Sequence, residues 1–222
     1  MSGFTKLYRR VFKFILDQRF DPAKVDNNEF TIICNNCTAG IIYKSLNQKF
    51  LSPTINLYIP YPDYITFLQK LDSILSSEMT FAKKSRLFSY NVTYPLGILD
   101  GVEIHFIHYE SEEFALRKWN ERKVRINVNR LFVIGSDRDG CKADDIIQFE
   151  NLPFKNKVFF SSKKVKDCPS LIHFEKYRND YQIGDIIEKE EWLNRFDLIH
   201  WLNTGEIKRY YLKKYFFKAL FE

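Results

Sequence analysis

Three groups of side chains in this sequence are of types that handle sugars, phosphates or protons. Asn35-Asn36-Cys37 offers two amides, each able to donate to and accept from a sugar hydroxyl or a phosphate. A thiol at a helix start, as at Cys37, is placed where thiolates are favoured. Asp137-Arg138-Asp139-Gly140 sets two carboxylates two residues apart around a tight turn, with Arg138 between them. Such a pair can share one divalent cation, manganese or magnesium, and the cation can neutralise a diphosphate leaving group. Glu103, His105 and His108 share a strand-like run, in which strict alternation turns His105 and His108 to opposite faces. They make a poor metal pair. His108, nearer the strand end, is the better general base.

Each group also has a purely local reading. Asn suits turns and helix caps, an Asp-x-Asp can be an Asx-turn, and a lone histidine is more often structural. Cys34-x-x-Cys37 has dithiol spacing, but strand-end packing and helix capping explain both positions, so no catalytic dithiol is expected. Arg122 and Arg125 lie about one helical turn apart and can clamp a phosphate together.

The elements that position these residues alternate. Residues 30–34, 54–59, 101–109, 131–134 and 158–161 are short apolar runs that read as strands. Between them, helical periodicity marks 39–46, a long helix from Asp63 through Leu75, 112–125 and 143–149. A further helix is read over 3–18. Residues 79–100 are hard to read beyond the turn-like Tyr94-Pro95-Leu96-Gly97, and 162–222 looks helical and irregular. The alternation predicts a single α/β domain over 1–222 with its core at 30–161. It would be a three-layer sandwich with a mostly parallel sheet and helices on both faces. Parallel strands bring their carboxyl ends to one edge, where ligands bind. Asn35, Asn36, His108, Asp137 and Asp139 are therefore expected in one cleft. Asp137→Ala should then abolish ligand binding and leave the melting temperature nearly unchanged.

Composition sets limits. Of 222 residues, 45% are hydrophobic and 17% aromatic, enough for a core, and Gly and Pro are few. The net charge of +6 favours anionic partners slightly. The basic residues are scattered without a nucleic-acid-binding signature, so no nucleic acid partner is expected. No apolar run is long enough to span a membrane, and residues 1–20 lack the pattern of a secretory signal. A cytoplasmic protein is the expectation, with four cysteines in a reducing compartment. The basic-aromatic stretch 208–221 suits peripheral contact with anionic lipid.

Several strings together carry a resemblance. They are Asn35-Asn36-Cys37 with Gly40, Ser52-Pro53-Thr54-Ile55-Asn56-Leu57, Tyr94 to Asp100, His105 to Tyr109, and Lys118-Trp119-Asn120 with Arg122. Arg125-Ile126-Asn127, Ser136 to Cys141 and Asn156-Lys157-Val158 complete the series. In order over 30–161, they resemble the bacterial domain-of-unknown-function 1919 family, often labelled exopolysaccharide biosynthesis protein. The resemblance implies an α/β sandwich and a setting in capsule or lipopolysaccharide assembly, but no established reaction. Family members often carry Ser at the position of Cys34, which weakens the redox reading further. With the residues above, it leads to the expectation of a transferase, a glycosyltransferase foremost, acting on a glycan or lipid-linked sugar acceptor. Asp137 and Asp139 would hold a metal–diphosphate of a nucleotide-sugar donor, or a sugar. Asn35, Asn36 and Cys37 would bind substrate, Arg122, Arg125 and Arg138 would neutralise phosphate, and His108 or Asp100 would be the base. A glycan O-acyltransferase and a non-catalytic glycan-binding assembly protein are the alternatives.

Overall fold

The computed structural model describes residues 21–89, 91–184, 192 and 195–209. The chain groups into two compact units, one of residues 29–184 and one built from residues 1–28 with 185–222. The helix read over 3–18 lies outside the described residues, as does the basic-aromatic stretch beyond Arg209.

The larger unit holds two sheets. The first has strands β1 (Thr31–Cys34), β5 (Leu131–Ser136), β6 (Asn156–Ser161) and β7 (Leu171–His173), in the order β1-β5-β6-β7. All its pairings are parallel. The second is antiparallel, in the order β2-β3-β4, from β2 (Thr80–Lys84), β3 (Asn91–Leu99) and β4 (Val102–His105). Helices α1 (Thr38–Ser45), α2 (Tyr61–Gln69), α3 (Leu71–Ser76), α4 (Glu112–Lys123) and α5 (Ala143–Glu150) complete the unit. The α/β class and helices on both faces of the parallel sheet agree with the sequence reading. The main core lies on one face, where Ile33, Val133 and Phe159 meet Tyr64 and Phe67 of α2 and Phe149 of α5. Leu99 and Ile104 of the antiparallel sheet, Phe106 just after β4 and Trp119 of α4 join the same cluster. On the other face Tyr43 of α1 stacks on Phe30, with ring centroids 5.4 Å apart.

Two elements differ from the sequence reading. Residues 54–59 are not a strand, although they run beside β1. Asn56 sits in the left-handed region at φ 57°, which breaks any continuous ladder. The contacts are made singly instead: Cys34 N–H donates to Thr54 Oγ1 at 3.2 Å, and Ile59 N–H to the Asn35 carbonyl at 2.8 Å. These bonds, with Ile32 N–H donating to the Tyr43 hydroxyl at 3.0 Å, cover the free edge of β1. The run at 101–109 forms β4, but in the antiparallel sheet, because Asp100-Gly101 turns it back on β3 as a hairpin with φ 48° and 80°. Tyr94-Pro95-Leu96-Gly97 is part of β3 and not a turn. Pro95 is tolerated there because the β2–β3 register shifts between Ala82 and Lys84, so its missing N–H breaks no regular ladder.

The smaller unit, as described, centres on helix α6 (Leu198–Thr204), capped by Asp197 and closed by Gly205 in the left-handed region. Trp192, Phe196 and Trp201 form its aromatic core. Asn203 ties down the segment after a 3-10 turn at Pro22–Lys24, bonding Asp26 N–H and the Lys24 carbonyl. Among the described residues no helix is long and apolar enough to cross a membrane.

Candidate functional site

Tyr64, fully buried on α2, fixes the two strands that carry the site. Its hydroxyl bonds the carbonyls of Ile33 on β1 at 3.2 Å and Ile134 on β5 at 2.8 Å. Just beyond, the chain leaves β1 at Asn35-Asn36 and β5 at Asp137. Asp139 and Gly140 both take left-handed backbone, at φ 65° and 85°. Asp tolerates that conformation and Gly accepts it without strain, so the chain reverses here. The reversal aims the Asp139 carboxylate back at β1. Its Oδ2 accepts from Asn35 Nδ2 at 3.2 Å and from Asn36 Nδ2 at 3.1 Å. The Asp139 carbonyl accepts from Tyr61 N–H at 3.1 Å and from the Tyr58 hydroxyl at 3.5 Å. Asn36 Oδ1 takes Thr38 N–H at 3.1 Å and the Cys34 thiol at 3.2 Å, which locks the amide's orientation. Two of the three sequence clusters thus meet at the carboxyl edge of the parallel sheet. No hydrogen bond to Asp139 Oδ1 is found among the described residues, and Asp139 is half-buried. That oxygen can accept from a hydroxyl.

Asp137 faces elsewhere. It is 5% exposed, and its Oδ2 accepts from Ser161 Oγ at 3.1 Å, Ser162 N–H at 2.7 Å and Ser162 Oγ at 2.6 Å. Its Oδ1 accepts from Ile183 N–H at 2.9 Å. The shared-cation reading of Asp137 and Asp139 does not fit this arrangement. One carboxylate is filled by four donors toward β6, and the other turns toward β1. Among the described residues no group of three or more His, Cys, Asp and Glu side chains is placed to hold a metal. Arg138, between them, is half-buried.

The remaining predicted site residues stay apart from this group. His108 is exposed in the turn after β4 and makes no hydrogen bond to Asn35, Asn36 or either aspartate. Asp100 is the hairpin-turn residue, paired with Lys70 at 3.2 Å, so the turn explains its presence and a base role does not fit. Arg122 donates to the Tyr109 hydroxyl at 2.5 Å and lies over the Phe50 ring. Arg125 donates to the Phe50 carbonyl at 3.4 Å. These two guanidiniums hold the 50–55 segment, and a phosphate clamp would require breaking those contacts. Cys37 heads α1, half-buried, beside Asn36. Burial pushes the Cys34 thiol up to about 12, which keeps it protonated at neutral pH.

A second polar cluster is built on Glu103 and His105, which the sequence reading grouped with His108 while favouring His108 as the base. Glu103, 1% exposed, accepts from Ser85 Oγ at 2.5 Å and Arg86 N–H at 2.6 Å. It also bonds His105 Nε2 at 3.2 Å. Arg86 pairs with Asp63 of α2, which takes Glu103 N–H on its other oxygen at 2.7 Å. Tyr58, Phe88 and Tyr94 surround the imidazole, with ring centroids within 5.7 Å. The signal was available: Glu103 and His105 alternate onto one face of β4. Their partners, at 58, 63, 85–88 and 94, come from segments whose placement the sequence does not reveal.

Burial drives the His105 pKa below its usual value of 6.5, against the opposing pull of Glu103 and Asp63. The folded state therefore binds this proton less readily than the unfolded chain. Stability from this group is complete above the unfolded value and is lost as pH falls from there through the folded value. We expect the urea midpoint to be lower at pH 5.5 than at pH 7.5, with a smaller difference in His105→Gln. An equal pH dependence in both proteins would show that other groups carry it.

Comparison with known proteins yields two matches. A family model described as Domain of unknown function (DUF1919) matches residues 7–203. A protein of Haemophilus influenzae described as "Uncharacterized protein" is 37% identical over 211 residues, covering 91% of this chain and 99% of its own length.

Proposed function

We propose that this chain, which belongs to the family of the domain of unknown function DUF1919, is a glycosyltransferase of cell-surface polysaccharide assembly. The observation that carries the reading is the Asn35–Asp139–Asn36 group at the carboxyl edge of the parallel sheet. Two amides fix one carboxylate oxygen and leave the other to accept from a sugar hydroxyl. Open parallel sheets bind ligands at this edge. The half-buried Tyr58, whose hydroxyl donates to the Asp139 carbonyl at 3.5 Å, borders the same group. The acceptor is a glycan or lipid-linked sugar and the donor a nucleotide sugar. The protein works in the cytoplasm, against the inner membrane face.

Thermal shift tests the reading. Uridine- and guanosine-diphosphate sugars, each with and without manganese, are compared with acetyl-coenzyme A. A ligand at 100 times its Kd adds about 2.7 kcal/mol. For a chain of this size that is a rise in Tm of roughly 5–10 °C. We expect a nucleotide sugar to give such a rise and Asp139→Ala to remove it. A rise with acetyl-coenzyme A alone would make the chain an acyltransferase. A full nucleotide-sugar shift in Asp139→Ala would place the binding site elsewhere.

A further inference from the structure

A glutamate, a histidine and a tyrosine are strung in one hydrogen-bonded line beside Asp139. Glu103 Oε2 lies 3.2 Å from His105 Nε2, and the Tyr94 hydroxyl lies 3.1 Å from His105 Nδ1. The direction of the line follows from its closed end. Glu103 is already an acceptor, taking the Ser85 hydroxyl and the Arg86 N–H, so its bond to the imidazole is made by Nε2–H. Nδ1 is then the acceptor and the Tyr94 hydroxyl the donor. A carboxylate that fixes the tautomer of a histidine, whose other nitrogen holds a hydroxyl proton, is the arrangement that activates nucleophilic hydroxyls.

Burial is graded along the line. The side chains of Glu103 and His105 are 2% and 0% exposed, while Tyr94 is half-buried. The acid end is sealed, and the phenol stands at the solvent end with two half-buried neighbours, Tyr58 and Phe88. Tyr58 connects this line to the first site, since its ring lies 5.6 Å from that of His105 and its hydroxyl 3.5 Å from the Asp139 carbonyl. The charged and titratable groups around the imidazole are Glu103 on β4, Asp63 on α2, Arg86 from the β2–β3 connection, and the phenols Tyr58 and Tyr94.

We propose that Tyr94 is a catalytic proton acceptor for a hydroxyl-bearing substrate, with His105 and Glu103 as positioning residues behind it. The proposal rests on the transferase reading above for the identity of that substrate, a sugar acceptor. In the step, the acceptor hydroxyl gives its proton to the Tyr94 oxygen as the Tyr94 proton moves to His105 Nδ1. The acceptor oxygen bonds to the anomeric carbon of a nucleoside-diphosphate sugar. The carbon–oxygen bond to the diphosphate breaks, and its electron pair leaves with the nucleotide. The imidazolium formed faces the Glu103 carboxylate.

An aryl sulfonyl fluoride tests the relay without any donor or acceptor. The reagent forms a phenol oxygen–sulfur bond and expels fluoride, and a neighbouring base that removes the phenol proton accelerates it. Labelling of the full chain at pH 7.5 is followed by peptide mass spectrometry, with the 73% exposed Tyr181 as internal reference. We expect Tyr94 to label at least tenfold faster than Tyr181. His105→Gln and Glu103→Gln should each lower the Tyr94 rate at least tenfold and leave Tyr181 unchanged. In the wild-type protein the ratio of the two rates should fall as pH is lowered through the His105 titration. Tyr94 labelling no faster than Tyr181 overturns the proposal, and that comparison needs no variant to fold. Fast labelling that survives His105→Gln overturns the relay as well. Neither result depends on Asp139 or on a nucleotide sugar, so the relay and the transferase reading fail separately.

Discussion

Asp137→Ala should lower the melting temperature by roughly 10 °C. The carboxylate gathers four donors inside the fold: the Ser161 and Ser162 hydroxyls and the backbone N–H groups of Ser162 and Ile183. Alanine leaves them without an acceptor at a site that is almost sealed. A buried donor left unsatisfied costs about 1–3 kcal/mol, and some donors will recover partners by relaxing, so we expect a loss of about 3–5 kcal/mol. At roughly 2–4 °C per kcal/mol this gives the stated shift. The expectation from sequence was the opposite: lost ligand binding at nearly unchanged stability. It placed Asp137 and Asp139 on one cation, whereas the left-handed turn at Asp139 separates them. Differential scanning calorimetry decides, and a melting temperature within a degree or two of wild type would remove the structural role assigned to Asp137.

Phe159→Ala should be of similar or greater cost, about 3–5 kcal/mol, read as a lowered urea midpoint with an unchanged slope. Phe159 is fully buried at the centre of β6, edge-on to Phe149 at 5.1 Å and to Tyr61 at 6.1 Å. The ring also fills the space above Gly135, where an added Cβ would lie 2.7 Å from a Phe159 ring carbon. Gly135 has no side chain that could move into the cavity, and α5 and α2 hold the other walls. A loss below about 1 kcal/mol would mean that α5 collapses onto the sheet and that its packing against Phe159 is not rigid.

The strands and helices with strong internal periodicity were legible from the sequence. β1, β5 and β6 are short β-branched or aromatic runs buried on both faces. α4 matches the helix read over 112–125 and is capped by Ser111, whose hydroxyl accepts from Phe114 N–H. β2 and β3 were not legible. β2 is half or fully exposed throughout, and β3 carries a proline and a glycine, so neither shows a period that hydrophobicity can report. β7 has three residues and gains its identity only by pairing with β6.

The candidate site divides in the same way. The sequence by itself determined that amides and carboxylates follow β1 and β5, because those strands are fixed by local pattern and parallel pairing places their carboxyl ends at one edge. Only the tertiary structure decided which side chains meet there. Two left-handed residues, Asp139 and Gly140, send one aspartate to Asn35 and Asn36 and leave the other in a buried serine network. The Asp100-Gly101 hairpin placed β4 in a separate antiparallel sheet, which left His108 in an exposed turn and buried His105 between Glu103 and Tyr94. Side-chain direction at a turn depends on one or two backbone angles. The partners of a buried polar group come from segments far apart in the chain, and neither property leaves a period in the sequence.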